Sequence, residues 1–369
     1  MPDFPPSRNA AHARLTAFLP AAGVAYARTR NFDRAGHVSA LSPYIRHRVI
    51  TEEDVLRATR AAHSYKAAEK FIQEVYWRTY WKGWLELRPA VWDQYKADRT
   101  AAWNAVQTQS GLRQRWQDAC AGDTGIACFD HWARELVQTG YLHNHARMWF
   151  ASIWIFTLQL PWSLGADFFL RHLLDGDPAA NTLSWRWVGG LQTVGKTYLA
   201  RRANIAEHTD GRFDPAGLAS HAPPLTGPPA PRPGPPPVSD PLPTSGRIGL
   251  LVTEEDMSPD WLHITPVATA FCQTTDHRSH LQVAPQVTEF VSKLSDAPKI
   301  IPAGIRDWMT AHKLDHVVTS YIPVGPTRDA LAEAPLIQRI RAYDAAAWPR
   351  ATAGFFKFKT AIPSLLAGL

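Results

Sequence analysis

The sequence has 369 residues, enough for two domains and a sizeable buried core. Its formal net charge of +6 is compatible with a nucleic-acid partner, although a basic surface also serves solubility alone. Three cysteines exclude a closed disulfide framework and are one short of a four-thiolate iron–sulfur site, unless a ligand comes from elsewhere. There is no apolar signal-peptide core and no apolar run of about 18 residues, so we expect a cytoplasmic protein that does not span a membrane.

The character of the sequence changes at a proline-rich stretch. Residues 1–213 show helical patterning and hold all but three of the 15 tryptophans. Residues 214–246 are rich in proline, which removes backbone donors and favours an extended, unpacked chain. Because this stretch lies between two patterned regions, we interpret it as a linker rather than as a ligand for a partner domain. We therefore predict domains at residues 1–213 and 247–369.

The first motif in chain order is HVSALSPY at residues 37–44. A serine before a proline is typical of the start of a helix, so the plainest interpretation is an ordinary N-cap. Small hydroxyls and exposed backbone amides at such a start can also hydrogen-bond phosphate oxygens, and the helix dipole assists.

The second motif is EVYWRTYWKGWLE at residues 74–86. Its tryptophans at 77, 81 and 84 recur at helical spacing, which predicts a helix. For Trp81 and Trp84 we prefer the interpretation of an aromatic stripe that faces the core.

The third motif, at residues 140–187, is the densest in chemistry-bearing side chains. It contains His143, Asn144, Arg147, Met148, Trp162, Asp175, Asp177, Asn181, Trp185 and Trp187. Acids, amides and a guanidinium can hold a polar heterocycle, and closely spaced tryptophans can pass single electrons to it. Any one of these residues alone is more typical of a helix face or a buried anchor. No competing phosphate loop, HExxH or GxGxxG motif is present.

Beyond the proline-rich stretch, short apolar runs alternate with helix-length segments. Strands are predicted at residues 247–253 and 315–321, and helices around residues 284–295, 304–313 and 327–346. This alternation favours a small α/β unit with a parallel sheet. The predicted fold class is thus an all-α domain followed by a small α/β domain.

Together, the three motifs resemble the FAD-binding domain of the DNA photolyase and cryptochrome family over about residues 20–215. DGRFDP at residues 210–215 resembles the close of that domain. The resemblance implies an all-α bundle that encloses FAD. It implies these cofactor-binding residues: Tyr26, Val38, Ser39, Leu41, Ser42, Trp77, Asn144, Arg147, Asp175, Asp177 and Asn181.

The resemblance also implies roles within that set. Val38 stands where the family usually has threonine, in a turn that holds the flavin diphosphate. Asp175 and Asp177 would bind the ribityl chain and ring edges, and Asn181 would face the reactive ring nitrogen.

A catalytic set follows from the same resemblance: Trp185, Trp162, Asn181, His143, Asn144, Met148 and Trp187. Trp185 and Trp162 would be the proximal and intermediate members of a photoreduction chain. Its terminal tryptophan is open between Trp103 and Trp92. The pattern of His143, Asn144 and Met148 resembles enzymes for cyclobutane dimers, and Trp187 would line the substrate pocket.

One position departs from the family pattern. Thr79 is expected to stand where repair enzymes carry a glutamate that contacts the pyrimidine dimer. Threonine has a shorter and weaker reach than a carboxylate, which argues against efficient repair.

The C-terminal region shows a second resemblance. Its segment KLDHVVTSYIPVGPTRDAL, residues 313–331, resembles part of the family's antenna domain. That domain normally lies at the N-terminus, so the order would be permuted here. A second, antenna chromophore is possible but has no support in the sequence.

Two functions follow as hypotheses. The first is repair of cyclobutane pyrimidine dimers in DNA by blue-light electron transfer from FAD, on a flipped-out substrate. The second is a cryptochrome-like photoreceptor without repair activity, which would act on a protein partner. A light-independent flavin oxidoreductase ranks third, because no nicotinamide-binding motif is present.

Overall fold

The computed structural model describes residues 3–34 and 36–369, and it places helices before the proline-rich stretch. The helices are α1 (Arg8–Phe18), α2 (Val24–Thr29), α3 (Ser42–Arg46), α4 (Glu52–Ala62), α5 (Tyr65–Glu86), α6 (Ala90–Thr108), α7 (Ser110–Ala121), α8 (Ala127–Thr139), α9 (Asn144–Ser152), α10 (Trp162–His172), α11 (Pro178–Val188) and α12 (Arg202–His208). A single π-helical turn, Ile153–Thr157, follows α9. Within the described ranges, no helix is both long and apolar enough to cross a membrane.

Local sequence explains where the longest helices begin and end. The Ser64 hydroxyl accepts a hydrogen bond from the Ala67 amide and starts α5, which runs for 22 residues. Gly140 ends α8 in a left-handed conformation with a φ of 68°. The chain then enters α9 within four residues, so α8 and α9 form a tight corner beside α5.

After the proline-rich stretch the chain alternates between strands and helices. These elements are β1 (Ile248–Thr253), β2 (Ala268–Cys272), α13 (Pro285–Ser292), β3 (Lys299–Ile300), α14 (Ile305–His312), β4 (His316–Ser320), α15 (Pro326–Ala330), β5 (Leu336–Arg339), α16 (Ala342–Ala347), α17 (Phe355–Lys359) and α18 (Ile362–Ala367). The strands form one parallel sheet in the order β3-β2-β1-β4-β5. The prediction of helices followed by a small parallel-sheet unit is confirmed.

The predicted helix at residues 327–346 is wrong. This stretch forms α15, then β5, then the start of α16. The run LIQR of β5 is too short to separate a strand period from a helix period, and its neighbours are good helix formers. Strands β2 and β3 were also not predicted, and β3 is only two residues long.

The helical region and the α/β region share one hydrophobic core. Helix α5 packs on one side against α11 and on the other against α16 and α17. At Gly83 a Cβ atom would lie 2.8 Å from the Cα of Trp348, so glycine is required for this approach. The division into domains at residues 213 and 247 stays a prediction.

Buried ion pairs also join the two regions. Arg46 forms two hydrogen bonds of 2.8 and 2.9 Å with the Glu255 carboxylate, which follows β1. Lys82 on α5 lies 3.3 Å from the same carboxylate and 3.7 Å from Asp177 at the start of α11. All four side chains are buried, so each charge depends on its partners. Asp177 and Glu255 are thereby held on opposite sides of shared cations.

The pairing continues in both directions from this centre. Arg78 bridges Asp177 and Glu52, at 2.9 and 3.0 Å. Arg48 bridges Glu52 and Asp344, at 3.3 and 2.7 Å. We call the whole set the buried ion network; its members are Arg46, Arg48, Arg78, Lys82, Arg278, Glu52, Asp177, Glu254, Glu255 and Asp344.

The proline-rich stretch is extended, as predicted, but the expectation that it is unpacked is wrong. The Leu225 amide donates to the Gly189 carbonyl at 2.9 Å, and the Gly234 amide donates to Leu87 at 2.7 Å. Near its end, the Asp240 amide donates to Gln338 on the outer strand of the sheet. Proline lacks an amide donor, but its neighbours and carbonyls still bond to the surface that the stretch crosses.

Replacing Asp344 with asparagine should destabilise the protein by about 3 kcal/mol, because Arg48 loses the negative charge that compensates its burial. Urea unfolding measures the effect. Glu289→Gln is the matched control: Glu289 pairs with Lys293 on the surface, and its replacement should leave the free energy of unfolding nearly unchanged. Equal effects of the two substitutions would contradict a stabilising role of the buried ion network.

Stability should also fall in acid. Burial opposes ionisation of Glu52 and Glu255, yet their cationic partners hold the pKa of each at about 2, below the ordinary 4.5. Their stabilisation is therefore complete above about pH 4.5 and is lost as the pH falls towards about 2. Urea midpoints measured across this range should decline, and less steeply in Glu255→Gln. Parallel declines would contradict the assignment.

Candidate functional site

A cavity of about 480 Å³ opens in the helical region between α2, α3, α5, α9 and α11. Its size falls in the range of small-molecule sites, roughly 300–1,000 Å³. The predicted site residues that line it are Tyr26, Val38, Ser39, Leu41, Ser42, Trp77, Asn144, Arg147, Met148, Asp175, Asp177, Asn181, Trp185 and Trp187. Residues far apart in the chain thus meet around one space.

Two predicted site residues lie outside the cavity wall. His143 is buried and accepts a hydrogen bond from the His145 amide, which caps α9. Burial lowers the pKa of His143 to about 4, so its ring is neutral and can accept this bond near pH 7. Trp162 is buried at the start of α10.

The polar end of the cavity is built on a bidentate ion pair. Arg147 on α9 donates to both oxygens of Asp175, at 3.0 and 2.8 Å. Arg147 also donates to the Leu142 carbonyl, which fixes the guanidinium plane. Asp175 and Asp177 flank Gly176 in a turn before α11, so both carboxylates reach the cavity. A rigid pair of this kind orients a carboxylate towards a ligand.

Helix α11 supplies an amide and an indole to the same space. The Asn181 amide nitrogen donates to the Ala166 carbonyl at 2.8 Å, which fixes the orientation of its side chain. Trp185, one turn further on, packs so closely on α10 that a Cβ atom at Gly165 would lie 2.3 Å from its ring. Its indole nitrogen is buried and has no hydrogen-bond partner among the described residues. A buried donor of this kind is satisfied by a ligand with an acceptor.

The turn at residues 38–42 forms the opposite wall. Ala40 adopts a left-handed φ of 48°, which is uncommon for a residue other than glycine and is found at functional turns. Leu41 occupies the cap position of α3 without a side-chain cap bond, so the turn is not an ordinary serine N-cap. Ser42 is the first helical residue and lines the cavity.

The expectation for Thr79 is also wrong. Thr79 is buried and shares a hydrogen bond of 2.7 Å with the Tyr343 hydroxyl, in the joint between the two regions. Positions 74, 77, 78 and 81 form the face of α5 that lines the cavity, at helical spacing. The carboxylate of this wall is Glu74, three residues before Trp77. Counting one helical turn back from Trp77 would have found it.

Glu74 is set up as a perturbed acid. It is ion-paired with Arg30, which also lines the cavity. Burial nevertheless raises the pKa of Glu74 above its ordinary value. A carboxyl donates a hydrogen bond when it is protonated and accepts one when it is ionised, and the raised pKa favours the protonated form.

Three other aromatic predictions meet different outcomes. Trp84 is buried as expected, whereas Trp81 lines the cavity beside Trp77, at a ring separation of 5.3 Å. Of the two candidates for a terminal tryptophan, Trp103 is half-buried, and Trp92 is buried and donates to Asp329 at 2.9 Å. Trp92 connects to Trp162 through Tyr95. Ring contacts therefore favour Trp92 as the terminal member and exposure favours Trp103, so the choice stays open.

Much of the cavity lies in a part of the chain that is similar to known proteins. A family model described as the FAD binding domain of DNA photolyase matches residues 71–222. The deoxyribodipyrimidine photo-lyase of Synechococcus sp. is 31% identical over 191 residues, covering 49% of this chain and 38% of that protein. A deoxyribodipyrimidine photo-lyase of Thermus thermophilus is 35% identical over 187 residues, covering 50% of this chain and 43% of that protein.

A solved structure, the class III photolyase from Agrobacterium tumefaciens, aligns with a TM-score of 0.44 at 24% identity. The alignment covers 55% of this chain and 42% of that one. The chain thus spans about two fifths of the length of the curated relatives it matches. The matched segment contains α9, α11 and most of α5, which build the cavity. By this family model, residues 71–222 match the FAD-binding domain of DNA photolyase.

Proposed function

We propose that this protein binds FAD in the cavity and splits cyclobutane pyrimidine dimers in DNA under blue light. One observation carries the proposal: a polar set that suits a flavin and an aromatic, acidic wall that suits pyrimidines line the same cavity. The names of the relatives, deoxyribodipyrimidine photo-lyases, support the substrate class. Those relatives are longer than the segment they share with this chain, so the activity is our inference for it.

The residues present fit FAD. Asp175, held by Arg147, can accept hydrogen bonds from the ring N–H, and the orphaned Trp185 indole can donate one. Asn181, fixed by Ala166, would face the ring beside them. The hydroxyls and turned backbone at the wall formed by residues 38–42, with Tyr26 nearby, suit the diphosphate. When bound, reduced and excited by light, FAD would supply the electron that opens the cyclobutane ring and would take it back afterwards.

A second group of cavity-lining residues, centred on α5, suits a flipped pyrimidine pair. Trp77 and Trp187 are half-buried and line the cavity, with Phe355 stacked on Trp77 and Tyr198 against Trp187. An indole face can stack on a base, and Met148 lines the same space. Glu74 can donate to a pyrimidine carbonyl when protonated, or accept from its imide N–H when ionised. Asn144 is exposed at the start of α9, and His143 positions it by capping that helix.

The tryptophan chain is part of the same proposal. Trp185 is buried at the cavity wall, and Trp162 is buried outside that wall, at the start of α10. We propose that they pass electrons inward to the cofactor during its photoreduction. Neither ring carries a charge at rest, so their burial costs no ion desolvation.

We propose that residues 247–369 form an antenna-like domain in permuted order. Ligands of open parallel sheets bind beyond the carboxyl ends of the strands, where the order reverses, here next to β1 and β4. In this chain Glu254 and Glu255 follow β1 and bond there with arginines of both regions. Side chains of the protein fill that place, which argues against a second chromophore in it.

Arg147→Lys tests the cofactor site. Lysine keeps the charge but not the bidentate geometry, so FAD affinity should fall by about tenfold or more. Fluorescence titration of FAD into stripped protein measures this. The control is Arg202→Lys, which alters an exposed pair with Asp214. Unchanged FAD affinity in Arg147→Lys would contradict the site.

Glu74→Gln tests the substrate wall. Repair of a thymine dimer per bound FAD should fall by about tenfold under limiting light, because the neutral amide has neither the negative charge nor the acidic proton of the carboxyl group. The control is Thr79→Ser, which keeps the hydroxyl that meets Tyr343 and should repair like the parent. Equal repair by Glu74→Gln and the parent, with equal FAD content, would contradict the assignment.

A further inference from the structure

Helix α17, in the sequence FFKFK, lies against α5 beside the cavity. Phe355 stacks on Trp77 with a ring separation of 3.6 Å and an interplanar angle of 11°. Phe358 is buried against Tyr80, at 5.6 Å. Lys359 pairs with Glu69 on α5 at 3.0 Å, which fixes the far end of α17. Because Trp77 lines the cavity, α17 lies one aromatic ring away from it.

Phe356 is on the outer side of this helix. Its two neighbours in the apolar stripe, Phe355 and Phe358, are buried, but 84% of the Phe356 side chain is exposed. A single exposed apolar residue is ordinary on a protein surface. What distinguishes Phe356 is its position, on a helix that is anchored at three points beside a cavity for a base.

The surroundings of Phe356 are basic. Lys357 is exposed and has no ion partner among the residues that the structure describes. Lys66 and Lys70 are exposed on the first turns of α5, the helix along which α17 lies. An apolar tip among lysines suits a polyanion with apolar interior faces, which is the chemistry of duplex DNA.

We propose that α17 is a duplex-DNA contact in which Phe356 enters the gap left by the flipped pyrimidines and Lys357 binds a neighbouring phosphate. The proposal rests on the proposed function and extends it to a segment outside the FAD-binding domain. Extruding two pyrimidines leaves a gap in the strand, and the base pairs on each side of the gap lose a stacking neighbour. An apolar side chain in the gap recovers stacking area. A single strand has no such gap, so Phe356 contributes only to duplex binding.

Phe356→Ser tests this, with fluorescence anisotropy on a duplex that carries one thymine dimer and on the same strand alone. The substitution should weaken duplex binding about tenfold and leave single-strand binding unchanged within about twofold. The control is Ile301→Ser, another exposed apolar residue, in the α/β region before α14. Lys357→Gln should lower the salt slope by about one on the duplex.

Equal duplex affinities of Phe356→Ser and the parent would overturn the proposal, as would equal losses on duplex and single strand. Light-driven splitting of the single-stranded dimer is a separate readout of the proposed function. If the parent fails to split it, the proposed function fails, and the duplex comparison still decides whether α17 contacts DNA.

Discussion

The structure depends on the pairing of Arg46 and Lys82 with carboxylates on both of their sides. Asp177 belongs to the cavity and Glu255 to the sheet, and the same two buried cations neutralise both. Removing either acid would leave charge uncompensated in the interior, which costs more than the pair contributes. The helical region therefore cannot present its cavity in this form without the α/β region. Fold and site are one electrostatic unit.

That unit explains how the cavity combines two kinds of chemistry. Around Asp175 and Asn181, an ion pair and a fixed amide make a rigid polar surface, because Arg147 and the Ala166 carbonyl hold these two side chains in place. On the side of α5, tryptophans and Glu74 line the cavity and are partly exposed, so a flat substrate can pack against them. The first surface suits a resident cofactor, and the second suits a substrate that comes and goes.

The sequence predicted most of the cavity-lining residues but not the ion pairs that join the two regions. The residues between 143 and 187 fall on consecutive helices, so short spacings brought nearly all of them to one space. The expectation for Thr79 failed although its neighbours Trp77 and Arg78 line the cavity. Each residue along a helix turns the side chain by about 100°, and Thr79 lies on the face of α5 that contacts Tyr343. Arg46 lies 209 residues from Glu255, and Arg48 lies 296 residues from Asp344; no local pattern encodes such pairs. Strand β5 is short, and only its neighbours in the sheet define it.

The most direct test is the absorption of dimer-containing oligothymidine, mixed with the purified protein and a reductant, before and after blue light. We expect that protein-bound flavin becomes reduced and that thymine absorbance then recovers in the light but not in the dark. Flavin that is reduced while every dimer persists would contradict dimer repair and point to a light sensor. Protein that binds no FAD would contradict the cofactor site itself.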